Sequence, residues 1–516
     1  MTQTVLQLLY FVCIVGLGLY GFQAFWLTAQ FLHRPRTAQP IPLDHWPIVT
    51  VQLPIYNERH VVERLVAACV ALDYPRDRLQ IQLLDDSDDN TAALTETLAQ
   101  TWQREGINIA VLRRPNRRGF KAGALANALP QADGEFIAIF DADFVPKADF
   151  LRSTLPYFSQ SRNAQERTGQ TVEHDQNRVG FVQTRWDHLN RSYSWLTDAQ
   201  ALALDGHFVV EQTGRAVAGY PFGFNGTAGI WRRACIQDPA VGGWQDDTLC
   251  EDLDLSYRAQ LAGWQGVYLP DVSVPAELPA QLLAFKRQQF RWAKGSVQTL
   301  CKLARRIPSA PWSPAARLAA FGHLGNYLIH PLLLTMLLVA LPMLLLGVDP
   351  AAPLAVLSLF SFGPPLLYAV AQNHLDPARR LGRIAFLPLL TLLGTGLCLN
   401  NSIAVAQALF GHNGPFLRTP KFDLQRPADR WQQSAYRLPL PRLVWVEAAL
   451  ALYALLTAAT AVRLQHWATV PFLAIYVIGF GLMVAVQVGQ AWQAQRAVRR
   501  YRRPLGLEPE ADHLHG

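Results

Sequence analysis

Charge is scarce in this 516-residue chain, and cysteine is unpaired. Only 16% of the residues are Asp, Glu, Lys or Arg, against roughly 25% in an average soluble domain. The deficit is local: residues 40–310 are charge-rich, whereas 318–373 and 443–490 carry almost no charge. A chain divided in this way is not one soluble globule. It has room for a domain of about 250 residues plus a membrane region. The cysteines (Cys13, Cys69, Cys235, Cys250, Cys301 and Cys398) are scattered, with no C-x-x-C pair and no His/Cys cluster. That argues against zinc and against a disulfide framework, and it fits a reducing compartment for the charged segment. No basic stripe interleaved with aromatics is present, so the net charge of +7 does not point to nucleic acid. Arginines bunched beside the apolar runs point instead to membrane lipids with anionic headgroups and to orientation by the positive-inside rule.

What the chain does have is long apolar runs. Residues 4–30 lack a positively charged start and a small-residue cleavage site, and they exceed a signal-peptide core, so they predict a retained span. Arg34 and Arg36 follow, which puts the next segment in the cytosol. Residues 319–346 and 353–373 predict two more spans. The loop between them, GVDPAAP, has no Lys or Arg and should face outward, while Arg379, Arg380 and Arg383 should face inward. Residues 443–462 and 469–490 predict a final pair, followed by arginines clustered in 496–503. Residues 384–410 are long enough to cross, but crossing would put the tail arginines outside, and the stretch holds Asn400, Asn401, Ser402 and Gln407. We read it as an interfacial or re-entrant helix; a sixth span is the plain alternative. The expectation is an integral membrane protein of an inner, plasma or equivalent membrane, with five spans and both the central domain and the C-terminus in the cytosol. Its segments are an N-terminal transmembrane helix (1–36), a cytosolic domain ending in interface helices (40–310), two spans with the interfacial helix (311–442), and two spans with a basic tail (443–516).

In the central segment, strand-like runs (Ile48–Leu53, Leu79–Leu84, Asn108–Leu112, Phe136–Phe140, Val179–Gln183) alternate with helical patterns (57–72, 90–104, 121–129). Such alternation predicts an α/β fold with a mostly parallel, doubly wound sheet, whose ligands bind outside the carboxyl ends of the strands. Residues 159–178 are polar and aperiodic and read as a mobile surface loop.

Several short motifs sit at those strand ends. FIAIFDAD ends a buried strand in Asp141 and Asp143, which period 2 places on one face. Two carboxylates facing one way repel unless a cation lies between them, and Mg²⁺ or Mn²⁺ is commonly held by one or two carboxylates plus substrate phosphates. The plainer reading is an acidic turn. DDSD at 85–88 follows another strand and could accept hydrogen bonds from a base or ribose; an Asx-turn or a cap for a helix near Thr91 explains it equally well. Tyr56, Asn57 and Glu58 follow the first strand: a ring there can stack on a base, or Asn57 simply caps a helix. Arg117, Arg118, Gly119, Phe120 and Lys121 open a helix, a setting that suits a diphosphate, or else a solvated basic turn. T-L-C-E at 248–251 reads as a capping box for a helix ending at Gly263. It leaves Asp252 and Asp254 in the first turn, where an ionised carboxylate can serve as a general base or merely complement the helix dipole. In KRQQFRWAKG, helical spacing puts Gln288 and Arg291 on one face with Trp292 beside Gln288. Arg can clamp a diphosphate and Trp can carry a sugar ring, or the segment is an amphipathic helix with an interfacial Trp.

Taken together, LPIYNE, LLDDSDD, GFKAGAL, DAD, VQTRW, FNGTAG, CEDLD, QQFRW and RTPK resemble, in order, the family 2 glycosyltransferases of the cellulose-synthase type, and most closely the cellulose-synthase-like glucomannan synthases. The resemblance covers about residues 40–425. It implies a GT-A-like nucleotide-sugar-binding domain inserted in an α-helical transmembrane bundle. The implied function is inverting transfer from a nucleotide sugar, UDP-glucose or GDP-mannose, to make and translocate a β-linked polysaccharide. It would assign the nucleobase to Tyr56 and Asp86, the donor diphosphate to Lys121 and Arg291, further donor contacts to Glu58 and Asp141, and a Mg²⁺ or Mn²⁺ ion to Asp141 and Asp143. The acceptor, a glycan or lipid, would meet Phe224, Asn225, Gly226, Thr227, Gln288 and Trp292, with Asp252 as the base. Residues 416–421, with Arg418, Thr419, Pro420 and Lys421, would gate the donor, and the spans at 319–373 and 443–490 would frame a polymer channel. The resemblance also leaves room for an accessory or export subunit. The chain departs from the family pattern in two places: Cys250 stands where Thr is usual, and no Gly follows Lys421. A transferase adding a single sugar to a lipid would need the same donor site without a continuous channel, and a scaffold that had lost activity would keep only the fold.

Overall fold

The computed structural model describes residues 2–35, 43, 45–159, 178–348, 352–412, 417–424, 426, 429–432 and 434–502. The stretch read as a surface loop, 159–178, lies almost wholly outside these, as does the middle of GVDPAAP.

The central segment is built on one sheet in the order β3-β2-β1-β4-β6-β5-β7. The strands are β1 (Val49–Ile55), β2 (Leu79–Asp85), β3 (Ile109–Leu112), β4 (Phe136–Ile139), β5 (Val179–His188), β6 (Gly229–Arg232) and β7 (Gln265–Ala276). β1 runs parallel to β2 and β4, and β2 to β3. These strands are near-continuous apolar runs because helices cover both faces: Val49, Val51, Leu53, Ile81, Leu83, Ile137 and Ile139 are all fully buried. The mostly parallel expectation holds, with one insertion. β6 lies antiparallel to both β4 and β5, while β5 and β7 run parallel to each other.

β6 and β7 were not legible in the sequence. GIWR is only four residues long, too short to show a period. β7 carries Pro270 and Asp271, and its pairing with β5 shifts register between Thr184 and Arg185. The helix expected over 57–72 starts only at Val62. Asn57 does not cap it: Asn57 takes φ 56 and turns its amide to Asp88 at 2.7 Å. Nor does β4 reach Asp141 and Asp143, which follow it in a turn, so the one-face argument from period 2 fails for that pair.

Among the described residues, four helices are long and apolar enough to cross a membrane: Thr2–Leu32, Asn326–Leu345, Leu443–Arg463 and Val470–Ala497. Leu8, Leu19, Trp445 and Phe472 stand exposed on them, as lipid-facing side chains would. Residues 353–373 do not form one α-helix: a 3₁₀ segment, Ala352–Phe362, gives way to the helix Gly363–Leu375 at Gly363-Pro364-Pro365. The stretch 384–410 is also broken. Arg380–Gly396 and Cys398–Leu409 meet at 44°, the form of a broken span or a re-entrant loop.

The polar residues of that broken stretch turn inward. Asn400 donates to the Lys286 carbonyl at 3.1 Å, Asn401 meets the His330 ring at 2.9 Å, and Gln407 accepts from Lys294 at 3.0 Å. Lys286 and Lys294 belong to the helix Leu282–Leu303, which lies between the sheet domain and the apolar helices. That helix is fixed by a buried ion pair: the Lys286 ammonium sits 2.5 Å from Glu447, with side chains 3% and 0% exposed. Gln487 donates to the other Glu447 oxygen at 2.7 Å. Removing one member of a buried pair strands the other charge, at a cost of about 3–5 kcal/mol, while replacing both with apolar groups costs far less. Glu447→Gln alone should therefore sharply lower the melting temperature in detergent, and Lys286→Met on top of it should recover most of the loss. If the two losses simply add, the pair does not anchor this helix.

Candidate active site

A cavity opens at the carboxyl ends of β1, β2 and β4. It is lined by Tyr56, Glu58, Asp86, Lys121, Asp141, Asp143, Asn225, Gly226, Glu251, Asp252, Glu277, Gln288, Arg291, Trp292, Arg418, Thr419 and Lys421, among others. Residues spread over more than 360 positions of sequence thus share one space.

The carboxylates and cations inside are arranged in pairs. The Lys121 ammonium binds Asp141 at 2.6 Å and the Gly226 carbonyl at 2.9 Å, with Glu251 3.8 Å away. Burial works against its charge, but Asp141 and Glu251 outweigh it and hold its pKa above the usual lysine value. Lys421 binds Asp143 at 2.6 Å and the Glu277 carbonyl at 2.8 Å. Behind it Glu277 accepts from the Phe422 amide at 2.9 Å and stands 3.5 Å from Arg64. Arg418 donates to the Tyr56 carbonyl at 2.8 Å and lies 3.5 Å from Glu58. Burial pushes Glu58 up to about 8, against the pull of Arg418, so this acid is mostly protonated at neutral pH and able to donate a hydrogen bond.

Asp252 stands in the first turn of the helix Glu251–Leu261. Burial first, and then Glu251 beside it, push its carboxyl up to about 7, against the pull of Lys121. Gly226 lies close to it: the backbone there takes φ 81, and a Cβ would come within 2.8 Å of the Asp252 carboxylate. Only glycine allows both the turn and the approach. The capping box expected at 248–251 is absent. Cys250 is the N-cap with no side-chain cap bond, and the buried Thr248 hydroxyl finds no partner among the described residues. The Cys250 sulfur lies 3.8 Å from the Arg291 carbonyl, and burial raises its thiol well above the ordinary value, so it is neutral packing rather than a nucleophile.

The DDSD run divides its work. Asp85 takes the Ser87 amide at 2.9 Å and the Thr95 hydroxyl at 2.6 Å, and Asp89, the next residue, takes the Thr91 amide at 2.8 Å. These are the Asx-turn and cap of the plainer reading. Asp86 alone lines the cavity. Gln288, Arg291 and Trp292 reach the cavity together from the helix Leu282–Leu303, and Arg291 donates to the Thr419 hydroxyl at 3.0 Å. Phe224 and Thr227 do not reach it. Phe224 is 1% exposed and packs on Phe181 and Trp231, and the Thr227 hydroxyl accepts the Asp141 amide at 2.8 Å. Both shape the wall from behind. Pro420 is likewise absent from the lining, and residue 416 lies outside the described residues. Arg117 lies with its guanidinium 3.4 Å over the Tyr56 ring, and so covers a face that was expected to meet a base.

Arg114 was missed by the sequence reading. It grips Asp86 at 2.8 Å through Nε and reaches the carbonyls of Arg118 and Phe120. It thereby ties the cavity-lining Asp86 carboxylate to the turn that presents Lys121, where Gly119 and Phe120 both take positive φ (72 and 49). Nothing in the local spacing marks one arginine among several as the clamp.

Among the described residues no three His, Cys, Asp or Glu side chains gather as a metal-binding group. The carboxylates of Asp141 and Asp143 are hard oxygen donors of the kind a divalent ion takes; Lys121 and Lys421 each occupy one of them at 2.6 Å, so an ion held there would share them with the ammonium groups.

Residues 47–295 match the family model described as glycosyltransferase like family 2. Glucomannan 4-beta-mannosyltransferase 2 of Arabidopsis thaliana is 42% identical over 268 residues, which is 51% of this chain and 47% of that protein. Glucomannan 4-beta-mannosyltransferase 1 of Cyamopsis tetragonoloba is 41% identical over 266 residues, 51% of this chain and 47% of that protein. The chain spans about half the length of the curated relatives it matches. A mannosyltransferase from Pyrobaculum calidifontis, solved with GDP-Man and Mn²⁺, superposes with a TM-score of 0.51 at 21% identity, covering 79% of this chain and 100% of that one. At that identity it shows a shared fold.

The Arg114 clamp is testable by itself. Hydrogen bonds to charged groups contribute about 1.5–3 kcal/mol each. Arg114→Lys should cost about that much in unfolding free energy, whereas Arg118→Lys, an exposed neighbour, should stay within about 0.5 kcal/mol. Equal melting temperatures for the two variants would refute the clamp.

Proposed function

From the match of residues 47–295 to the family 2 glycosyltransferase model we propose that the protein is a membrane-embedded inverting glycosyltransferase that extends a β-linked glycan from a nucleotide sugar. GDP-mannose is the first donor to test. The relatives matched over about half their length are named mannosyltransferases, and the solved neighbour holds GDP-Man.

The observation that carries the reading is Asp252: a carboxylate held near 7, beside Gly226 and Lys121, in the same cavity as Arg291 and Trp292. A group with that affinity is poised as a general base at neutral pH. Asp252 takes the proton from the acceptor hydroxyl as that oxygen attacks the anomeric carbon, and the bond to the diphosphate breaks on the opposite face. One displacement converts an α-linked donor into a β-linked product. Lys121 and Arg291 offset the charge that grows on the leaving diphosphate. A Mg²⁺ or Mn²⁺ ion held by Asp141 and Asp143 would add to that charge neutralisation. Glu58, protonated, and Arg418 offer a donor pair to the base. Arg418, Thr419 and Lys421 close over the donor from the far end of the chain, so each turnover requires them to part and close again.

Polymer translocation is supported by buried polar groups on the helices that follow the sheet domain. Asn326, His330 and Ser402 each bury a polar atom that has no partner among the described residues. Such atoms are costly among apolar helices unless something polar passes them.

Two measurements test the proposal. Purified protein given Mn²⁺ and a panel of nucleotide sugars should release free nucleotide and a product cut by linkage-specific β-glycan hydrolases, and Asp252→Asn should lose about 10³-fold or more in kcat with donor affinity retained. A product of one added sugar would restrict the protein to single transfer, and turnover by Asp252→Asn at the wild-type rate would remove the base. On pH the sign is fixed: below its pKa Asp252 is neutral and cannot accept a proton. The acid limb of kcat/KM should therefore bend near 7 rather than near 4, and Glu251→Gln, by removing a cause of the upward shift, should move the bend downward. A bend at the ordinary carboxylate value would count against Asp252.

A further inference from the structure

The acceptor wall extends beyond Trp292. Trp186, at the end of β5, lines the same cavity. Its ring centroid lies 6.2 Å from that of Trp292, the two planes inclined at 54°. Phe208 packs 5.0 Å from Trp186 at a shallow 32°, and Phe144 meets it edge-on at 5.1 Å. The ring is therefore fixed by its neighbours. Phe208 itself is set by the π-helical segment Gly206–Glu211, and its carbonyl accepts from Tyr268 at 2.6 Å.

The indole N–H of Trp186 is buried, yet it finds no acceptor among the described residues. A buried unmade hydrogen bond is destabilising, and indole N–H groups ordinarily find a partner. Trp231 and Trp244 also carry indole nitrogens without a partner among the described residues, but neither is part of the cavity wall. At Trp186 the orphan donor belongs to a ring that also lines the cavity. Resting on the glycosyltransferase reading above, the geometry points to Trp186 as an acceptor-binding residue: its ring forms a second platform at an angle to Trp292, and its N–H donates to a hydroxyl or ring oxygen of the growing glycan. Two inclined indoles suit successive sugar rings of a chain, whose faces turn from one unit to the next. No bond is made or broken by Trp186; it holds the attacking end in place against water.

The test separates the acceptor from the donor. In Trp186→Phe the packing ring stays and the N–H goes. With GDP-mannose and Mn²⁺ as probes, the donor KM should stay within about twofold. The acceptor KM for a short β-linked manno-oligosaccharide should rise about tenfold, the factor that about 1.4 kcal/mol carries. Without added acceptor, chains should shorten and the share of donor lost to water as free mannose should rise. Trp244→Phe, which removes an orphan N–H away from the cavity, should change none of these. Should Trp186→Phe fail to accumulate in membranes, Trp186→Tyr is measured in the same way. Equal effects on donor and acceptor, or no effect on either, overturn the assignment. A wild-type protein that consumes no nucleotide sugar at all would instead defeat the underlying glycosyltransferase reading.

Discussion

Opposite charges confined in one cavity are the constraint on which the rest of this structure depends. Asp141, Asp143, Glu251 and Asp252 converge from separate parts of the chain, and unpaired carboxylates that close would either repel one another or take up protons. Lys121 and Lys421 each take one of the paired aspartates. Lys121 lies at the start of a short helix and Lys421 on a strap some 300 positions later. Neither the sheet nor the apolar helices alone would make the cavity; the charge balance needs both. Asp252 lies next to Glu251, and burial pushes both carboxyls upward against the pull of Lys121.

The same logic couples the sheet-containing and apolar parts of the chain. The helix Leu282–Leu303 presents Gln288, Arg291 and Trp292 to the cavity from one face. On another face its Lys286 is locked to Glu447 and Gln487 among the apolar helices. A buried ion pair adds little net stability, but it specifies a register, because any slip of a turn would strand a charge. The part of the cavity wall formed by Gln288, Arg291 and Trp292 is thereby held at a fixed place relative to the apolar helices.

Much of this was legible in the sequence. The first five strands stand within a few residues of where apolar runs predicted them, since a parallel sheet buried on both faces leaves an unbroken hydrophobic signature. The long apolar helices at 2–32, 326–345 and 443–497 follow from composition alone. The motif residues converge because a doubly wound sheet brings its carboxyl ends to one edge. The errors arose where a local rule met a tertiary demand. The period-2 argument for Asp141 and Asp143 failed because β4 stops at Ile139, and the capping box failed because Cys250, packed against the helix Leu282–Leu303, took the cap position. Phe224, read as an acceptor contact, is core because Phe181 and Trp231 pack against it.

The sequence by itself determined the element types, the apolar runs and the set of acidic and basic side chains available for chemistry, since these depend on periodicity and composition over short windows. Only the tertiary structure decided which carboxylate meets which cation, that Arg114 rather than a neighbouring arginine holds Asp86, and that Trp186 faces the cavity. Those outcomes depend on distances between residues far apart in the chain. Burial and charge pairing act through space, and no pattern along the backbone encodes them one residue at a time.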